Sequence, residues 1–127
     1  MDYRYLGKTG LKVAAIGLGC MTFGHTVEAT AAHAMLGRYA EAGGNYFDVA
    51  DNYGAAEETL GRWLKNKDRR AQWIVASKVR FPAGEGGPND VGLTRKHIFD
   101  GVENSPRKLQ QQEILARQIS AGEAEKR

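Results

Sequence analysis

Ala42-Gly43-Gly44-Asn45-Tyr46-Phe47-Asp48-Val49-Ala50-Asp51-Asn52-Tyr53-Gly54 is the stretch on which the reading of the fold turns. Its paired glycines end whatever precedes them, Asn45 to Ala50 reads as a strand, and Asp51 to Gly54 reads as a turn. Downstream, Ala55 to Leu64 is helix-like, with Glu57 and Glu58 in its first turn and Lys65 at its end, the charge order that a helix dipole favours. Trp73 to Ser77 is a further strand, closed by Lys78. Upstream, Val27, Ala31, Ala34, Met35, Tyr39 and Ala42 recur at helical spacing, with Thr26 placed to cap the start and Gly43 to end the helix. Ala15 to Gly19 is a short apolar, glycine-bearing run suited to a buried strand. Tyr3 to Leu6 and Leu11 to Val13, separated by Gly7-Lys8-Thr9-Gly10, form a hairpin. Strand, helix, strand, helix, strand is an α/β order with parallel strands, since each helix is long enough to return the chain across the sheet.

Beyond Lys78, residues 79–93 form a Gly- and Pro-bearing loop, and Thr94 caps a helix reaching about Leu109. Ile98, Val102 and Leu109 are expected on its apolar side, with Pro106 as a kink or break. The tail, residues 110–127, reads as a polar helix or frayed coil with a narrow stripe of Ile114, Leu115 and Ile119. This divides the chain into a domain over 1–109 and a divergent polar tail over 110–127.

At 127 residues, with 42% hydrophobic and 26% charged side chains, the chain fits one globular domain and excludes two catalytic ones. The net charge of +3 is diffuse: residues 1–93 carry 11 basic and 10 acidic side chains, residues 94–127 carry 7 and 5. No segment has the one-sign excess of a nucleic-acid arm, and Arg62, Lys65, Lys67, Arg69 and Arg70 read as a solvated helix end. The longest uncharged run, Val13 to Val27, is interrupted by Gly17, Gly19, Gly24 and His25 and falls short of the ~20 apolar residues of a membrane span. No basic-then-apolar leader opens the chain, and the single Cys20 has no thiol partner, so a cytoplasmic location is expected.

Asp48, Tyr53 and Lys78 would meet at the carboxyl ends of parallel strands, where α/β enzymes keep their active sites. A lysine ammonium beside a tyrosine stabilises the phenolate form, and such a phenol can protonate a carbonyl oxygen as charge develops there. Asp48 would hold the ammonium through a charge-assisted hydrogen bond. The same residue types also make an ordinary ion pair and an amphipathic cover, and spacing does not decide between the two.

The surrounding motifs add a resemblance. Tyr3 to Val13, Gly17-Leu18-Gly19-Cys20-Met21-Thr22-Phe23-Gly24, Ala42 to Gly54, Glu57, Glu58, Leu60 and Gly61, Ile74 to Lys78, and Gly92 to Ile98 closely resemble the aldo-keto reductase family, over about residues 3–109. The resemblance implies a (β/α)8 TIM barrel, here a partial one of amino-terminal hairpin plus about three βα units. It also implies NADP(H)-dependent reduction of aldehydes or ketones to alcohols. Within it, Tyr53 matches the proton donor and Asp48 and Lys78 its supporting residues. Cys20, Met21 and Asp48 match positions touching the nicotinamide half of NADP(H). Val49 stands where the family usually has a small hydroxyl residue. The family's fourth catalytic residue, a histidine ending the next strand, has no counterpart, because His25, His33 and His97 lie elsewhere and read as surface or structural residues.

A barrel of this kind runs to ~250 residues and eight strands, so the expectation is a truncated member with impaired activity. A small-molecule carbonyl is the implied substrate, with neither nucleic acid nor membrane as partner. The rival expectation is a noncatalytic half-barrel whose open sheet edges take up a partner chain, as regulatory subunits resembling this family associate with membrane channels. A nonfunctional splice or gene-model fragment is the third.

Overall fold

The computed structural model describes residues 1–68, 70–110 and 116–119. An antiparallel hairpin, β1 (Tyr3–Tyr5) and β2 (Lys12–Ala14), precedes a four-stranded parallel sheet of β3 (Leu18–Gly19), β4 (Tyr46–Asp48), β5 (Ile74–Val79) and β6 (Ala116–Ile119), in that spatial order. Helices α1 (Ala29–Glu41), α2 (Ala56–Lys65) and α3 (Arg95–Lys108) connect successive strands. Register runs Leu18 to Phe47, Phe47 to Val75, and Ala76 to Ala116. This is the expected α/β arrangement of hairpin and parallel βα units.

Period two along β4 sends Phe47 to the helix side. There it meets Tyr39 of α1, Trp63 of α2 and Trp73 just before β5, at ring-centroid distances of 5.5, 5.6 and 5.8 Å. Leu36, Leu60, Leu64, Val49, Val75 and Leu109 complete this core. The hairpin docks at the start of β4: Asn45 Oδ1 accepts from the Ala14 N–H at 2.7 Å, and Asn45 Nδ2 donates to the Lys12 carbonyl at 3.1 Å. The Tyr3 hydroxyl donates to the Gly43 carbonyl at 2.6 Å. The opposite, carboxyl ends of the strands stay uncovered by it.

Several expectations are corrected. The buried residues of α1 are Ala32 and Leu36, whereas Met35, expected inside, is exposed. The helix is alanine-rich, so its faces differ little in hydropathy and packing against α2 selects between them. Thr26 makes no capping bond; its hydroxyl lies 3.1 Å from His25 Nδ1. Gly43 ends α1 as expected, at φ 87°. Helix α3 is capped by Thr94, which accepts from the His97 N–H, but it runs through Pro106. It buries His97, Gly101 and Ser105 and leaves Val102 exposed.

Residues 116–119, expected as polar helix or coil, form a parallel strand on the edge of β5. Free N–H and C=O groups along β5 reward any extended segment, whatever its side chains. Residues 111–115, with Ile114 and Leu115 among them, and residues 120–127, like Arg69, lie outside the described residues.

Where α2 crosses α3 the backbones touch: a Cβ on Gly61 would lie 2.6 Å from the Leu109 carbonyl carbon and oxygen. Gly61→Ala should therefore force the two helices apart and lower stability by about 1–3 kcal/mol, read as a lower urea midpoint with an unchanged slope.

Candidate functional site

Asp48 ends β4 with its side chain on the face opposite Phe47, and Lys78 lies on β5 two residues beyond Ala76, the register partner of Asp48. Residues in register on parallel strands share a face, so the acid and the amine point the same way. They meet: Lys78 Nζ donates to Asp48 Oδ1 and Oδ2, both at 2.8 Å, and to the Val49 carbonyl at 2.8 Å. The Lys78 side chain is 16% exposed and that of Asp48 34%, so the pair is protected from solvent but open on one side.

Tyr53 reaches the same place from the turn after β4. Its N–H donates to the Ala50 carbonyl at 3.2 Å, and its own carbonyl accepts from the Ala56 N–H at 3.0 Å, tying the turn to the start of α2. The Lys78 ammonium lies 5.0 Å from the Tyr53 ring centroid. Contact is thus through the ring face, and the hydroxyl makes no hydrogen bond among the described residues. The three residues singled out in the sequence are together at one rim.

Cys20 and Met21 divide. The Met21 side chain is 57% exposed beside the end of β3. Cys20 is fully buried, its thiol donates to the Leu18 carbonyl at 3.5 Å, and its N–H donates to the Asp48 carbonyl at 2.8 Å. Burial, with the nearby Asp48 charge second, pushes the thiol up to about 12. Cys20 therefore braces β4 through its main chain rather than offering a reactive sulfur. The histidines have structural settings: His25 Nε2 lies 2.7 Å from the Met21 carbonyl, His33 Nε2 lies 2.9 Å from the Thr59 carbonyl, and His97 is buried in α3.

One polar cluster escapes the sequence reading. Glu57 Oε1 accepts from the buried Ser77 hydroxyl at 2.7 Å, while Oε2 lies 4.0 Å from Lys108 Nζ. A first-turn glutamate reads as a dipole partner, and only its position on the Leu60 and Leu64 side of α2 hints at burial.

The hollow at the rim, lined by residues 50–53 and 78–81, holds about 70 Å³, against ~300–1,000 Å³ for ligand pockets in general. A larger cavity of about 450 Å³ lies between residues 83–86 and α3 and shares only Asp51 with it. Among the described residues, no helix is long and apolar enough to cross a membrane, and no cluster of His, Cys, Asp and Glu could hold a metal ion.

The sequence pattern of the Aldo/keto reductase family matches residues 15–119. The chain belongs to that family. Among its relatives is a "Probable voltage-gated potassium channel subunit beta" of Oryza sativa subsp. japonica, 39% identical over 112 residues, covering 86% of this chain and 34% of the relative. The Arabidopsis thaliana protein of the same description is 38% identical over 113 residues, with the same coverage. A solved aldo-keto reductase from Bacillus halodurans, in its holo form, superposes with a TM-score of 0.81 at 36% identity, over 96% of this chain and 41% of that one. A putative aldo-keto reductase of Pseudomona aeruginosa gives 0.79 at 31% identity, over 95% of this chain and 48% of that one. The chain spans about a third of the length of these plant relatives and less than half of the solved reductases. Its hairpin and parallel sheet correspond to the amino-terminal part of an aldo-keto reductase barrel, and the family match takes in β6 as well.

Two outcomes follow for this chain. Asp48→Ala removes both carboxylate acceptors of a mostly buried ammonium and should cost about 1–3 kcal/mol, measured by urea unfolding. Burial raises the Glu57 carboxyl above its ordinary value of 4.5, with Ser77, Ser105 and Lys108 opposing. The folded chain therefore keeps this proton to higher pH than the unfolded chain does. The stability it contributes is fully present below the unfolded value and declines as pH rises from there through the folded one. Glu57→Gln should flatten that decline in a series of unfolding curves from acid to neutral pH.

Proposed function

We propose that this chain carries the proton-donating part of a carbonyl-reducing centre, the chemistry being NADPH-dependent reduction of aldehydes or ketones to alcohols. The observation that supports this best is the Lys78 ammonium, held by both Asp48 oxygens at 2.8 Å and standing 5.0 Å from the Tyr53 ring centroid. A nicotinamide, when bound, supplies the hydride.

The chain's own residues do the rest. Tyr53 donates its hydroxyl proton to the substrate's carbonyl oxygen as negative charge grows there. The fixed ammonium beside the ring favours the phenolate left behind, and it needs no reorganisation because three acceptors already orient it. Asp48 holds that ammonium in place beside the ring. Met21 and Asp48 are open at the rim and fit a flat ring laid across the strand ends. The Cys20 thiol does not, and the small hollow fits no complete dinucleotide, so these residues would hold the nicotinamide end only.

Reduction by this chain alone is expected to be feeble. NADPH oxidation in the presence of a panel of aldehydes and ketones, followed by its absorbance, tests it. Residual turnover should vanish in Tyr53→Phe and in Lys78→Met, since general acid catalysis of this kind contributes ~10²–10⁴-fold. Turnover unaffected by Tyr53→Phe overturns the assignment. A second reading, a noncatalytic module that pairs with another chain, is favoured by the descriptions of the plant relatives and by β3 and β6, the outer strands of the described sheet. Size-exclusion chromatography with light scattering separates a discrete assembly from a monomer.

A further inference from the structure

Glu57 is 1% exposed, on a helix that otherwise buries apolar and small side chains. A carboxyl group there is costly unless its oxygens are engaged. Its contacts lead to both halves of the candidate site. On one side, Oε1 accepts from Ser77 at 2.7 Å, and Ser77 immediately precedes Lys78 on β5. On the other, Oε2 faces Lys108 Nζ at 4.0 Å, and the same ammonium donates to the Asp51 carbonyl at 3.3 Å. The Asp51 N–H in turn donates to the Lys78 carbonyl at 3.2 Å. Two residues on, the Tyr53 carbonyl is bound by the N–H of Ala56, the neighbour of Glu57 in α2. The strand carrying the amine is thus hydrogen-bonded to this side chain, and the turn carrying the phenol is linked to it through the Lys108 charge facing Oε2.

We propose that Glu57 is a positioning residue, setting the separation of Tyr53 and Lys78 by holding β5 through Ser77 and the Asp51–Gly54 turn through Lys108. The proposal rests on the reading of Tyr53 as proton donor. Glu57 touches neither reacting group and acts through the two elements that carry them. Four groups face it: Ser77 from β5, Ser105 and Lys108 from α3, and Asp51 from the turn. Lys108 is the cation among them. Without a carboxylate opposite, its ammonium has less reason to stay beside the Asp51 carbonyl, and the turn gains freedom relative to β5. Glutamine keeps an acceptor for Ser77 but loses the charge facing Lys108, so Glu57→Gln releases one arm while leaving the other.

The test uses the whole chain and reads the Tyr ring resonances by NMR, assigned to Tyr53 through Tyr53→Phe. Glu57→Gln and Lys108→Gln should each displace the Tyr53 ring signals and alter the ring's titration curve in the same direction. The double variant should do little more than either alone, the behaviour of two residues acting through one link. Lys108→Arg should restore the parent spectrum, and Glu58→Gln, on the exposed side of α2, should leave it unchanged. Tyr53 signals identical to the parent in a folded Glu57→Gln overturn the proposal. Should that variant not fold, an unchanged Tyr53 in Lys108→Gln overturns it equally. Lys78→Met separates this from the underlying reading: if it leaves the Tyr53 titration untouched, the amine–phenol coupling itself fails. If it changes that titration while Glu57→Gln and Lys108→Gln do nothing, only the positioning role fails.

Discussion

Phe47 is the side chain on which the geometry of the site depends. Its ring is fully buried between Tyr39, Trp63 and Trp73, which come from three different parts of the chain. Burying such a ring is worth about 1.5–3 kcal/mol, and favourable edge contacts between aromatic rings add about 0.5–1.5 kcal/mol per pair. Because side chains alternate along a strand, fixing Phe47 on the helix side fixes Asp48 on the other. A slip of one residue would bury the carboxylate among aromatic rings and expose Phe47, a double penalty that enforces the register. The ion pair with Lys78 is then a consequence of the core.

How much was legible in the sequence follows from where the determining forces lie. The hairpin, β4, α2, β5 and the Thr94 cap were legible because their signals are local: glycines at turns, an amphipathic decamer, a hydroxyl before a helix. Asp48, Tyr53 and Lys78 were legible as a set because strand-end chemistry and motif agreed. The buried face of α1 was not, since alanine sits on every side of it. The buried face of α3 was read only in part: Leu109 is buried as expected, whereas Val102 is exposed, for the reverse reason. It turns His97, Gly101 and Ser105 inward, and Lys108 faces a buried carboxylate on α2. Strand β6 carries no alternation in Ala-Arg-Gln-Ile, and only the unfilled edge of β5 accounts for it. Cys20 is tied to Asp48 by a main-chain bond, which no side-chain pattern encodes.

The Lys78 ammonium donates one of its three bonds to the Val49 carbonyl, while the Val49 side chain is packed away in the core. A peptide oxygen is present whatever amino acid the codon specifies. Position 49 can therefore drift among side chains that suit the interior, including the exchange of a hydroxyl for a methyl, and the amine loses no ligand. That third bond is insulated from mutation in a way that the two from Asp48 are not.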